Sequence, residues 1–356
     1  MCGIMDEFVP EIAEKLNTEY DLRIAKNGKP WLERPQSLPK NAKKDFLGGI
    51  TMPLPEFYKL EQNKTAVPDW AKYMKDGEFI SYSVTYNSKA YLDLFDEYLY
   101  PCTESGDIRY YVYDPVKHGA PADRKYPVLM WLHGASNSLD GVRCIMCCGA
   151  EQYATPKYQH EMGGAYIIVP LANEKRLPDG NLTGTWSEEY AAPVKAIYDK
   201  VCEEHSANIG KKFIMGASSG GFMTWLMLEK FCGFFQGAIP IASGYIPDDD
   251  ALDRISDSGA EILVAHGRHD EMADFGKCVA PREEKLRSMK NCLLFFPEWV
   301  YNGDGGIASV HYGIEMGQHC MINWVQHNLM FDSGKPADER LPRGVTGWIR
   351  DVSERK

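Results

Sequence analysis

The chain has 356 residues, of which 44% are hydrophobic and 25% charged, and its formal net charge is −11. Such a composition excludes a disordered chain, and the acidic balance argues against nucleic acid, whose phosphates reward Lys and Arg. No apolar stretch reaches the roughly 18 to 20 residues that a membrane span requires, and the start, MCGIMDEFVPEIAEKL, is not signal-like; a cytoplasmic protein is expected, with its ten cysteines reduced.

Residues 1 to 75 read as an N-terminal extension. Helical patches such as Glu11 to Glu19 alternate there with proline-rich stretches around Pro30, Pro35, Pro39, Pro53 and Pro55. The extension wraps the core, covers a site or joins two copies in a homodimer, and the residues do not choose among these. From residue 76 onward a single catalytic domain is expected.

Strand texture begins with FISYSVTY after Glu78 and the alternating run Ile108 to Tyr113, and then the runs become apolar throughout: Tyr126 to Leu132, Ala165 to Pro170, Phe213 to Met215, Ala238 to Ala242, Ile262 to Ala265 and Cys292 to Phe296. Short apolar runs bounded by Gly, Pro, Asn or Asp fit strands buried on both faces. Helix-length patterns lie between them at Ala191 to His205, Gly221 to Phe231 and Ala280 to Met289. The expectation is an α/β fold with a mostly parallel central sheet and helices on both faces.

The chemistry gathers at the ends of these runs. Gly216-Ala217-Ser218-Ser219-Gly220 stands between a strand and a helix and has the G-x-S-x-G pattern of a nucleophile elbow, which aims Ser218 out of the fold. The helix start turns the Ser219 N–H toward an oxyanion formed there, and the His133-Gly134-Ala135 turn after Leu132 offers Ala135 N–H as the second donor. His266-Gly267-Arg268-His269-Asp270 follows the Ile262 to Ala265 strand, making Asp270 the natural acid ahead of Asp274 and Glu271. Gly317-Gln318-His319 precedes the helical pattern Cys320 to Leu329, so His319 is favoured as the base over His311. Trp186, Trp299 and Tyr301 either receive an aromatic substrate group or pack under loops. Cys144, Cys147 and Cys148 lack the second pair that a metal site requires, and neither a metal nor an organic cofactor is expected.

Through LHGAS, GASSGG, HGRHD and GQH, residues 106 to 332 resemble the α/β-hydrolase superfamily, whose serine, acid and histidine follow one another in this order. Within it the chain is similar to the bacterial esterases related to feruloyl esterases and polyhydroxyalkanoate depolymerases, with prolyl-oligopeptidase-type hydrolases as neighbours. Gln318 stands where many relatives have glycine. The resemblance implies a serine esterase acting on a small-molecule ester, hydroxycinnamate-type esters among the candidates. A peptidase of the prolyl-oligopeptidase type and a non-catalytic binding protein on the same fold are the alternatives.

Overall fold

The computed structural model describes residues 94–103, 105–135, 150–173, 175–176, 182–205, 208–270, 272–301, 318–319 and 321–355, together with strands at residues 18–26, 29–30, 43–44, 49–53 and 80–88. The cysteine cluster at 144–148, Glu271 and His311 lie outside the described residues. Thr18–Lys26 pairs antiparallel with both Gly49–Pro53 and Ile80–Ser88 in a five-stranded sheet of its own. Thr18 and Glu19, expected at the end of a helical patch, are therefore in a strand, and Ile80–Ser88, most of the FISYSVTY run, pairs with the first of these strands.

The central sheet has eight strands: β1 (Asp96–Tyr100), β2 (Ile108–Tyr113), β3 (Tyr126–Leu132), β4 (Tyr166–Pro170), β5 (Ile209–Ala217), β6 (Gly237–Ile241), β7 (Glu261–Ala265) and β8 (Cys292–Phe295). Their order is β8-β7-β6-β5-β3-β4-β2-β1. Strands β4, β3, β5, β6, β7 and β8 are parallel to their neighbours in that series. Strand β2 is antiparallel to β4, and β1 to β2, so the sheet is mixed. After β3 the chain adds β4 on one side and β5 on the other. That reversal opens a crevice at the carboxyl ends of β3 and β5, where ligands of open α/β sheets bind.

Alternation along the strands explains why both faces are covered. Leu129, Trp131, Phe213, Met215, Leu263 and Ala265 point into one apolar cluster, and Val128, Met130, Ile214, Ala238, Ile262 and Val264 into the other. The first cluster is closed by α1 (Ala150–Ala154), α2 (Pro156–Met162), α8 (Met321–Gln326) and α9 (Gly344–Glu354). The second is closed by α3 (Ala191–Glu204), α4 (Ser219–Lys230), α5 (Asp249–Asp257), α6 (Phe275–Cys278) and α7 (Glu283–Ser288). The β5–β3 ladder is irregular between Ile209 and Lys212. There the buried Tyr198 hydroxyl of α3 donates to Val128 O at 2.7 Å and accepts from Phe213 N–H at 3.1 Å, satisfying backbone groups where the ladder shifts register.

The helical pattern expected from Cys320 to Leu329 is shorter, because Asn328 and Leu329 adopt left-handed backbone with φ of 63° and 52°. Asn tolerates that region, and its Oδ1 is engaged by Thr346 N–H at 2.7 Å. Among the described residues no helix is long and apolar enough to cross a membrane.

Candidate active site

Three successive strand ends are laced together at the carboxyl edge of the sheet. Ser218 N–H donates to Ile241 O (2.8 Å), Ala242 N–H to Ala265 O (2.9 Å) and His266 N–H to Phe295 O (3.0 Å). The turn after β5 and the loop after β7 are thereby held in register with each other.

Ser218 has φ 55° and ψ −113°, a conformation that L residues rarely adopt. Phe222 N–H donates to Ser218 O (3.0 Å), so helix α4 begins at once and Ser219 is its first residue, whose N–H has no intrahelical acceptor. The turn can be this tight because position 220 has no side chain: a Cβ on Gly220 would sit 2.0 Å from Leu132 O and 2.8 Å from His133 O. The start of α4 therefore packs directly on the end of β3. Ser218 itself is half-buried.

Asp270 is buried, and its carboxylate meets the Nδ1 of His319, itself buried, at 2.8 and 2.9 Å. Oδ1 also accepts from Met272 N–H (2.9 Å) and Ala273 N–H (2.7 Å). Burial pushes the carboxyl up, but the hydrogen bond and charge of His319, the Ala273 N–H and the charge of His266 outweigh it and hold Asp270 below its ordinary value. A second buried imidazole, His266, stands 3.6 Å from Asp270 Oδ2 and lies 2.7 Å from Ala273 O through its Nε2. Burial drives its pKa down, against the pull of that carbonyl and of Asp270.

Residue 318 anchors the histidine. Gln318 Oε1 accepts from Val300 N–H at 2.8 Å, tying the residue before His319 to the segment after β8. Gly267 permits the approach, since a Cβ there would meet Val300 Cγ2 at 2.9 Å and Gln318 O at 3.2 Å. The glutamine thus has a structural task that sequence reading did not assign. Its only signal was the departure from the glycine that the resemblance implies there.

The structure brings Asp270 and His319 into contact and puts Ser218 at the strained turn on the same edge. Asp274, the fallback acid, instead caps α6 by accepting from Lys277 N–H at 2.9 Å. Trp299 is 40% exposed, with its ring stacked 4.1 Å from that of His269. Tyr301 is half-buried and packs edge-on against Trp324 and Phe331. Trp186 is inside the fold, 3% exposed, with its ring against His133 and Tyr190. Ala135, the expected second donor, is exposed in the turn that follows β3.

His133 differs from the other imidazoles. It is fully buried, and Ala172 N–H donates to its Nε2 (3.0 Å), which leaves the proton on Nδ1 to donate to Gly134 O (2.6 Å). Burial lowers its pKa to about 4. It is a neutral brace for the turn carrying Ala135, a role that the HG pair alone did not reveal.

A strained serine between β5 and α4 shares the carboxyl edge of the sheet with a buried carboxylate and imidazole beyond β7 and β8. No protein-family model matches the chain, and no curated protein does. Several of the solved structures to which it is similar are esterases. One is a thermostable esterase, at 23% identity and a TM-score of 0.47, covering 62% of this chain and 58% of that one. A ferulic acid esterase has 14% identity and a TM-score of 0.48, covering 72% and 97%. The CE1 ferulic acid esterase from the anaerobic fungus Anaeromyces mucronatus has 14% identity and a TM-score of 0.40, covering 57% and 81%. The chain spans less than two thirds of the length of the thermostable esterase. Likenesses this distant say nothing of substrate.

Proposed function

We propose that the protein is a serine hydrolase that cleaves carboxylic esters of small molecules through an acyl-enzyme. The observation that carries this is the buried contact of His319 Nδ1 with Asp270, on the same sheet edge as the strained Ser218. Strands β5 and β7 are separated only by β6, so their ends lie about 10 Å apart. A carboxylate, an imidazole and a hydroxyl in line bridge such a gap.

In the first half-reaction His319 Nε2 takes the proton of Ser218 as Oγ attacks the ester carbonyl. Asp270 fixes the proton of the imidazole on Nδ1 and stabilises the imidazolium. The negative charge on the former carbonyl oxygen is met by the N–H groups of Ser219 and Ala135, each worth roughly 3 to 4 kcal/mol. Collapse expels the alcohol, which takes the proton from His319. Water, deprotonated by the same imidazole, then attacks the acyl-serine and releases the acid. Exposed Trp299, stacked on His269 next to Asp270 in the chain, favours an aromatic acyl or alcohol group of the hydroxycinnamate type.

The test is a panel of chromogenic acyl esters, hydroxycinnamate esters and dipeptidyl amides, run beside labelling with a fluorophosphonate. Ester turnover and labelling that both vanish in Ser218→Ala are expected. Turnover of the amides alone would favour a peptidase, and an unlabelled, inert wild type would overturn the proposal.

A further inference from the structure

We infer that Trp186 is a positioning residue that clamps together the two arms of the oxyanion site, rather than a wall of the substrate pocket. This rests on the reading of Ser218 as nucleophile and goes further, by naming what holds the two donors in place.

The two donors come from different elements. Ser219 N–H belongs to the first turn of α4, and Ala135 N–H to the turn after β3. Trp186 is bonded to both elements. Its indole Nε1–H donates to His133 O at 2.9 Å, and its backbone N–H donates to Ser219 Oγ at 3.0 Å. One residue thus holds the last carbonyl before the Gly134-Ala135 turn and the side chain of the residue whose N–H faces the oxyanion.

The support of this clamp is stiff. The Trp186 ring lies 4.8 Å from the His133 imidazole and packs edge-on to Tyr190 at 5.4 Å. His133 is pinned in turn at both ring nitrogens, by Ala172 N–H and Gly134 O. Tyr190 Oη accepts from Asn173 N–H at 2.9 Å, which fastens the same assembly to the chain leaving β4. With 3% of its surface exposed, Trp186 offers no face to a ligand. Its indole N–H and its backbone N–H are both spent on the two arms. Donors that bind charge only as it develops must be held in place beforehand, because movement during the reaction forfeits their benefit.

The test is steady-state ester hydrolysis, and inhibition by an arylboronic acid whose tetrahedral adduct on serine mimics the charged intermediate, for wild type, Trp186→Phe and Ser219→Ala. Trp186→Phe keeps an aromatic ring but removes the indole donor, and Ser219→Ala removes only the hydroxyl acceptor while the Ser219-position N–H remains. Each is expected to lower kcat roughly ten- to hundredfold with KM nearly unchanged, a fraction of the loss seen when a donor is deleted outright. The boronate Ki should rise by the same factor as kcat/KM falls. A merely structural role would lower the melting temperature without that parallel. If Trp186→Phe does not fold, Ser219→Ala carries the test alone. An active wild type whose variants keep kcat, or change KM instead, or leave Ki unmoved, overturns the clamp and leaves the esterase reading intact. A wild type that hydrolyses no ester overturns both.

Discussion

Among the described residues, four histidines line the carboxyl edge of this sheet, and their surroundings separate their roles. His319 has a carboxylate on Nδ1, whereas His133 has both nitrogens committed to backbone groups. His133 is therefore unfit as a base and becomes a sensor of the fold. Its folded pKa of about 4 lies below the unfolded value near 6.5. The unfolded chain then binds the proton more readily, so the contribution of His133 is complete above about pH 6.5 and is lost as pH falls toward 4, by up to about 3 kcal/mol. Urea unfolding of wild type and His133→Gln between pH 7 and 4 checks this, and the variant should lose less stability across the window. Asp270 works in the same direction at lower pH, since its depressed pKa contributes stability above its unfolded value that is lost as pH falls through the folded one. Replacing the carboxylate tests the catalytic part proposed for it. Asp270→Asn should fold and lose roughly 10³- to 10⁴-fold in kcat, because an amide no longer fixes the imidazole proton on Nδ1; a kcat within tenfold of wild type would remove Asp270 from the mechanism.

At the scale of elements, the histidine is held by a side chain rather than by regular structure. Gln318 reaches Val300 in the way a strand partner would, so the residue before His319 is fixed although α8 starts only at Met321. Gln318→Ala should lower kcat about ten- to hundredfold, given how steeply rate depends on displacements near 1 Å, and Gln318→Glu should recover part of the loss only where its carboxyl still accepts from Val300 N–H. Stopped assays at saturating substrate decide it. The elbow and the Asp270 loop were legible in the sequence because glycines and apolar runs there obey local rules. The support of His319 was not, since it joins residues 300 and 318 across a segment whose path local patterns do not encode. Trp186 was left open between pocket and packing for a related reason: composition marks a large aromatic near a site, but not which way its indole N–H points. Helix α5 was passed over because DDALDRISD shows only three apolar positions, Ala251, Leu252 and Ile255, and those three are the ones buried.

Across the whole molecule, stability is shared between two apolar layers that meet through the sheet. The layer containing Trp131 depends on the last helix, whose Val345, Trp348, Ile349 and Val352 recur on one face at helical spacing. Lys211 at the start of β5 ties that helix down by donating to Val352 O at 2.8 Å and to Arg355 O at 2.5 Å. Ile349→Ala should reduce the unfolding free energy by about 2 to 5 kcal/mol while leaving KM unchanged, which denaturant titration beside ester kinetics would establish. A loss below about 1 kcal/mol would mean that the helix is dispensable to this layer. The alternation of facing residues along each strand was readable as continuous apolar runs, whereas the partner of each face was not, because α9 lies far along the chain from most of the strands it covers.

The backbone at Ser218 sets function against durability. A φ of 55° with ψ of −113° costs a side-chain-bearing residue of order 1 to 3 kcal/mol, and glycine largely escapes that penalty while losing some chain entropy of its own. Ser218→Gly should consequently yield an inert protein that melts about 2 to 4 °C above the wild type. Selection for heat resistance alone, without selection for turnover, would discard the serine proposed as nucleophile first.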